Sequence, residues 1–183
     1  MSPEVFSCFA AIAARRLPGD RSLTALEVGA GGWTLLSIPV FDTGTRVALN
    51  LRFDRVTDRL ARTMRVLGNN NYLPFIDASF DCVLSCSALE HDRYFWRSTR
   101  EVYRVLRPGG YFIVGVPIYK TLPTDKDYTT LTYARHGLAY NADYYRFSEQ
   151  AVREVFFENY AAVTDEVVVR QYPNPYLIAA GLK

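Results

Sequence analysis

The stretch Leu26-Glu27-Val28-Gly29-Ala30-Gly31-Gly32 constrains this chain more than any other. A short apolar run (Leu23, Ala25, Leu26, Val28) ends in an acid, Glu27, and a cluster of three glycines, Gly29, Gly31 and Gly32. A strand that runs into such glycines turns sharply, and its bare backbone lets a ligand approach as no Cβ would. The stretch therefore predicts the first strand and first loop of a doubly wound α/β fold. What fills the loop decides the function.

A dinucleotide fingerprint is the first candidate, but its third glycine would fall on Thr34, and bulky Trp33 stands where a pyrophosphate needs room. Pro39 cuts short any helix starting near Trp33, which weakens the helix end that would hold a phosphate. A ligand without phosphates suits the loop better. S-adenosylmethionine is one, and an acid followed by G-x-G opens the site of enzymes that bind it. A sharp strand-to-helix turn without a ligand remains the alternative reading of these residues.

The rest of the chain follows the alternation of an α/β sheet. Ser2-Pro3-Glu4 reads as an N-cap, a first-turn proline and a favourable acid for a helix with Val5, Phe9 and Ile12 on one face. A second strand is expected over Arg46–Asn50. The spacing of Val56, Leu60, Met64 and Leu67 predicts a helix over Asp54–Leu67, stopped by Gly68. Its other face carries Arg55, Arg59 and Arg62, read as a solvated face with Asp58 placed to pair rather than as a docking stripe. Tyr72–Phe75 reads as a short strand end closed by Pro74. Phe80–Ser87 is continuous enough in apolar character for a central parallel strand. A helix follows over about Asp92–Leu106, then the stop Arg107-Pro108-Gly109-Gly110 and a strand over Tyr111–Val116.

Residues 118–147 break this rhythm with six tyrosines, His136 and no clean period, which predicts a lid or acceptor-binding region. Ser148 caps a helix to about Phe157. Ala161–Arg170 and Tyr176–Leu182, split by Pro173-Asn174-Pro175, predict an antiparallel hairpin. A chain of 183 residues is expected to form one domain, residues 1–183. A net charge of +2 gives little reason to expect nucleic acid. Cys8, Cys82 and Cys86 contain no C-x-x-C pair and read as free thiols of a reducing compartment. No stretch is apolar enough for a membrane span, and Arg15 and Arg16 follow the first apolar segment rather than precede it, so a cytoplasmic location is expected. No metal-ligand spacing stands out.

LEVGAGG, then LPF (Leu73 to Phe75), FDCVLSCSALEH (Phe80 to His91) and EVYRVLRPGGYFIVGVP (Glu101 to Pro117) fall in an order that resembles class I S-adenosylmethionine-dependent methyltransferases. The resemblance is to the small-molecule branch with LPF and LEH signatures, and YYRFSEQAV (Tyr144 to Val152) looks like that branch's helix after the lid. It implies a Rossmann-like doubly wound α/β fold, a seven-stranded sheet that is mostly parallel with the last strand antiparallel. It implies S-adenosylmethionine as cofactor, with Glu27, Gly29, Ala30 and Gly31 at its methionine end. Asn50, with Leu51, falls where the family usually has an acid for the ribose hydroxyls, and Asn69, with Asn70, where an acid often meets the adenine amino group. Ser87 and Leu89 would border the cofactor. Asparagine keeps an acceptor atom at Asn50 and Asn69 but loses the charge that strengthens such bonds.

The function so implied is methyl transfer to an oxygen, nitrogen or carbon of a small-molecule acceptor. Alignment is the main task, and a hydroxyl acceptor also calls for a base. His91 and His136 are the candidate bases, because imidazole titrates near neutrality. Tyr140, Tyr144, Tyr145 and Arg146 are the candidate acceptor-pocket residues. The rival reading is a degenerate, methyltransferase-like binding or scaffold subunit without turnover. A protein partner or a homodimer stays open under either.

Overall fold

The computed structural model describes residues 1–31, 33–53, 62–121, 129–130, 144–170 and 175–183. Its strands are β1 (Thr24–Val28), β2 (Thr45–Asn50), β3 (Met64–Leu67), β4 (Phe80–Cys86), β5 (Leu106–Pro117), β6 (Ala162–Val169) and β7 (Tyr176–Leu182). They form a 7-stranded sheet in the order β3-β2-β1-β4-β5-β7-β6. The first five pair in parallel. β7 runs antiparallel to both of its neighbours, so the last strand is the reversed one, as expected. After β1 the chain builds one side of the sheet with β2 and β3, then crosses to build the other with β4 and β5. A crevice opens at such a reversal, outside the carboxyl ends of β1 and β4.

Alternate side chains of the strands point to opposite faces, and both faces are covered. On one, Ala25, Cys82, Leu84 and Ile113 pack with Phe9 and Ile12 of helix α1 (Pro3–Arg16). On the other, Leu26, Val28, Val83 and Val114 pack with Val102 and Val105 of helix α2 (Phe95–Val105) and with Phe147 and Phe156. Helix α1 begins where the sequence places it: the Ser2 Oγ accepts the Val5 N–H at 3.3 Å. Its last turn is tied to β6, Arg16 Nε donating to Asp165 Oδ2 at 2.7 Å.

Two expectations are corrected. Of the helix expected over Asp54–Leu67, residues 54–61 lie outside the described residues, and Met64–Leu67 is strand β3, paired in parallel with β2. Arg62 takes a left-handed φ of 63°, which no α-helix continues through. The apolar period that ran from Val56 to Leu67 therefore crossed an element boundary. Met64 and Leu67 are 60% and 70% exposed, so they do not form a buried helical stripe. Tyr72–Phe75 is not a strand end but a loop leaving a tight turn, closed by Tyr72 N–H donating to Asn69 O at 3.0 Å.

Strand β5 starts earlier than expected, at Leu106, because Arg107–Gly110 stays within the strand, where its register with β4 shifts. Ser148 caps as expected, accepting from Ala151 N at 3.0 Å. Helix α3 (Glu149–Ala151) passes directly into a wider helical turn, Val152–Phe156. The two ends of the 118–147 segment meet, Ile118 bridging Phe147.

Candidate functional site

The glycine turn is shaped by three bonds to the neighbouring strand end. Gly29 N–H and Ala30 N–H both donate to Leu49 O, at 2.9 and 3.2 Å. The Asn50 amide donates to Ala30 O at 2.7 Å, while its oxygen accepts Leu51 N–H at 2.8 Å. Glycine is required at residue 29 twice over: its φ is +75°, and a Cβ there would stand 2.4 Å from the Ala88 Cβ. At Gly31 a Cβ would meet nothing within 4 Å among the described residues, which leave the outer side of the turn open. Trp33 keeps 54% of its surface exposed. Gly32 lies outside the described residues.

Glu27 supports this turn from beneath. Its carboxyl is buried and accepts from Thr34 Oγ1 at 2.5 Å and from Leu35 N–H at 3.0 Å. Burial pushes the Glu27 carboxyl up to about 7, against the pull of the bonds from Thr34 and from the backbone of Leu35 and Leu36. Thr34 in turn caps the short helix Leu35–Ser37, accepting from Leu36 N–H at 3.1 Å.

The loop after β4 forms the opposite lip. Ser87 has φ 51° and donates its N–H to Gly115 O at 3.1 Å. Leu89 is fully buried and starts the helical turn Leu89–His91. The His91 Nε2 stands 3.9 Å from Glu90 Oε1, and the Glu90 carbonyl accepts from Tyr144 N–H at 2.8 Å and Tyr145 N–H at 3.2 Å. The segment Tyr144–Tyr145 is thus tied to Glu90 and Arg93 on either side of His91, although 52 residues separate Tyr145 from Arg93, whose carbonyl accepts the Tyr145 hydroxyl at 2.8 Å. The Tyr145 ring packs on Phe95 and Phe147, with centroids 5.0 and 5.6 Å away. Arg146 is buried and donates to Tyr145 O at 3.0 Å, whereas Tyr144 is exposed. His136 and Tyr140 lie outside the described residues.

The third side comes from the turn after β3. Asn69 Oδ1 accepts Asn71 N–H at 2.9 Å, Asn70 is half-buried in the same turn, and Leu51 beside Asn50 is exposed. Asn71, which sequence reasoning missed, donates to Asp92 Oδ2 and to Ser98 Oγ, both at 2.8 Å. The Leu73-Pro74-Phe75 loop is clasped by α2. Glu101 accepts Leu73 N–H at 2.7 Å, and the Arg104 guanidinium donates to the carbonyls of Phe75 and Leu73 at 2.8 and 3.0 Å. Thr34 carried a legible signal, a threonine directly before an apolar helical turn. Asn71 carried none, because its partners are distant in sequence. Among the described residues no helix is long and apolar enough to cross a membrane, and no cluster of three or more His, Cys, Asp or Glu could hold a metal.

Comparison with known proteins gives this geometry a context. The family model of a methyltransferase domain matches residues 26–114, the span from β1 into β5. The phthiotriol/phenolphthiotriol dimycocerosates methyltransferase of Mycobacterium tuberculosis is 53% identical over 47 residues, 26% of this chain and 17% of that protein. The ubiquinone/menaquinone biosynthesis C-methyltransferase of Escherichia fergusonii is 30% identical over 151 residues, 73% of this chain and 60% of that protein. The chain thus spans less than two thirds of either relative. Among solved structures, the 1,6-didemethyltoxoflavin-N1-methyltransferase of Burkholderia thailandensis, with S-adenosylhomocysteine bound, superposes with a TM-score of 0.71 at 18% identity, covering 97% of this chain and 77% of that one. A putative methyltransferase of Haloferax volcanii, in complex with the Trm112 activator, superposes at 0.64 with 19% identity, covering 98% and 90%.

Proposed function

From the premise that this chain belongs to the class I S-adenosylmethionine-dependent methyltransferase family, we propose that it transfers the methyl group of that cofactor to a small-molecule acceptor. The observation that carries the proposal is the glycine turn, held by Leu49 and Asn50 and open on its outer side at Gly31. A phosphate-free nucleoside suits such a turn, since the helical turn that follows it among the described residues, Leu35–Ser37, is too short to aim an N-terminus at phosphate. Gly29, Ala30 and Gly31 would then hold the methionine end through backbone, with Glu27 setting the loop rather than displaying its charge. Asn50 and Leu51 would face the ribose, Asn69 and Asn70 the adenine, and Ser87 and Leu89 the middle of the cofactor. When bound, the cofactor supplies an activated methyl group on a sulfonium.

The chain's own residues have three tasks in this reading. They orient an acceptor in line with the sulfur, exclude water around it, and take up a proton where the acceptor is a hydroxyl. His91 is the candidate for the last task among the described residues, with Tyr144 and Arg146 beside it as acceptor contacts. His136 and Tyr140 belong to the segment 118–147, which we assign as the lid. The relatives named above are a phthiotriol/phenolphthiotriol dimycocerosates methyltransferase, a ubiquinone/menaquinone biosynthesis C-methyltransferase and a 1,6-didemethyltoxoflavin-N1-methyltransferase, which supports a small-molecule acceptor methylated at oxygen, nitrogen or carbon.

A calorimetric titration with S-adenosylhomocysteine, followed by transfer of labelled methyl to a mixture of phenols, hydroquinones and heterocyclic amines, tests the proposal. Binding with transfer is expected, and no heat at about millimolar ligand overturns it. One observation favours the second reading, a scaffold subunit without turnover: both polar atoms of Asn50 are already engaged within the protein. Binding without transfer to any acceptor would favour that reading.

A further inference from the structure

Tyr176 belongs to β7, which is separated from β4 by β5, yet its hydroxyl reaches the carboxyl end of β4. It donates to Gly115 O at 2.7 Å and stands 2.8 Å from Ser87 Oγ and 3.2 Å from Cys86 Sγ. The ring fills space that exists only because residue 115 is glycine, where a Cβ would stand 2.7 Å from Tyr176 Cε1. Gly115 O also accepts the Ser87 N–H at 3.1 Å, so one carbonyl anchors both residues. A phenol has one proton, and here a buried carbonyl takes it. The Ser87 hydroxyl therefore supplies the proton of the bond between them. Burial holds the Tyr176 phenol well above its ordinary value, which keeps that proton in place.

Ser87 needs such support. Its φ of 51° is left-handed, a conformation that a non-glycine residue keeps only where its surroundings enforce it. The next residue, Ala88, is the one against which Gly29 is fitted, at 2.4 Å from where a Cβ on Gly29 would lie. The turn at Ser87 thus sets one lip of the site against the other.

We propose that Tyr176 is a positioning residue of the cofactor site, holding Ser87 in the left-handed turn that seats Ala88 against the glycine loop. The proposal rests on the methyl-transfer reading above and adds a residue from a strand outside the site. It predicts that the phenol hydroxyl matters for ligand affinity only while residue 87 needs help to keep its turn.

The test is a calorimetric titration of S-adenosylhomocysteine into the whole chain and into Tyr176→Phe, Ser87→Gly and the double variant, with urea unfolding of each. Tyr176→Phe, which keeps the ring, is expected to weaken binding about tenfold. In the Ser87→Gly background the same change is expected to shift affinity less than about twofold, since glycine adopts the turn unaided. A purely structural tyrosine would lower urea stability in both backgrounds and leave affinity alone, and that result overturns the proposal. Equal loss of affinity in both backgrounds overturns it as well. Should Tyr176→Phe not fold, Ser87→Ala against Ser87→Gly decides, since both lack the hydroxyl and only glycine adopts the turn unaided: affinity about threefold lower in the alanine variant supports the proposal, and equal affinity overturns it. No binding by the unaltered chain overturns the methyl-transfer reading itself, whereas binding that Tyr176→Phe leaves intact overturns this inference alone.

Discussion

At the scale of single residues, the two glycines of the turn do different work, and substitution separates them. Gly29→Ala combines a left-handed φ with a clash against Ala88, and is expected to cost about 2–4 kcal/mol in urea unfolding. Gly31→Ala meets nothing within 4 Å among the described residues, so stability should change by less than about 0.5 kcal/mol. A fall in S-adenosylhomocysteine affinity on Gly31→Ala would then report the ligand beside the turn, and an unchanged affinity would place it elsewhere. Glu27 makes stability depend on pH. Its folded value of about 7 lies above the ordinary 4.5, so the folded state binds the extra proton between them. The stability it contributes is full below pH 4.5 and is lost as pH rises to about 7, by on the order of 3 kcal/mol. Glu27→Gln should flatten that slope, read from urea unfolding at intervals across this range. The glycines were legible in the sequence because a turn after a strand has few chemical solutions. That the Glu27 carboxyl turns inward to Thr34 was not, since the same acid beside a glycine turn could equally face a ligand.

At the scale of elements, the motifs that look like signatures prove to be joints. Leu73-Pro74-Phe75 is held by the Arg104 fork, whose side chain also pairs with Glu101 and Asp77 at 2.8 Å. Planar guanidinium geometry serves these acceptors at once, which an ammonium does not reproduce. Arg104→Ala is expected to cost about 2–3 kcal/mol in urea unfolding, and Arg104→Lys to recover less than half of that loss. The same logic applies to Asn50. An aspartate there cannot donate to Ala30 O, so Asn50→Asp should lose about 1–2 kcal/mol, the loss shrinking at low pH where the carboxyl is protonated. The strands were readable because parallel strands buried on both faces need continuous apolar runs. The boundary at β3 was not, because a four-residue strand that continues a helical spacing of apolar residues looks like the tail of a helix until Arg62 is seen to turn left.

At the scale of the whole molecule, the sheet reversal between β1 and β4 gathers the glycine turn, the Ser87 loop and the Asn69 turn at one end. A ligand that bridges three separate loops ties elements together, so it should stabilise the fold as a unit. S-adenosylhomocysteine at about a hundred times its dissociation constant should add roughly 2.7 kcal/mol to unfolding, and NAD at the same concentration should add nothing. Differential scanning calorimetry checks both. The sequence by itself determined the alternation of strands and helices, the capped first helix, the closing hairpin and the position of the glycine turn, because each follows from neighbours a few residues apart. Only the tertiary structure decided that Asn50 latches Ala30, that Asn71 meets Asp92 and Ser98, and that Tyr176 reaches Ser87. Those contacts join residues 20 to 89 positions apart, and their partners are chosen by strand order and register, which no local pattern encodes.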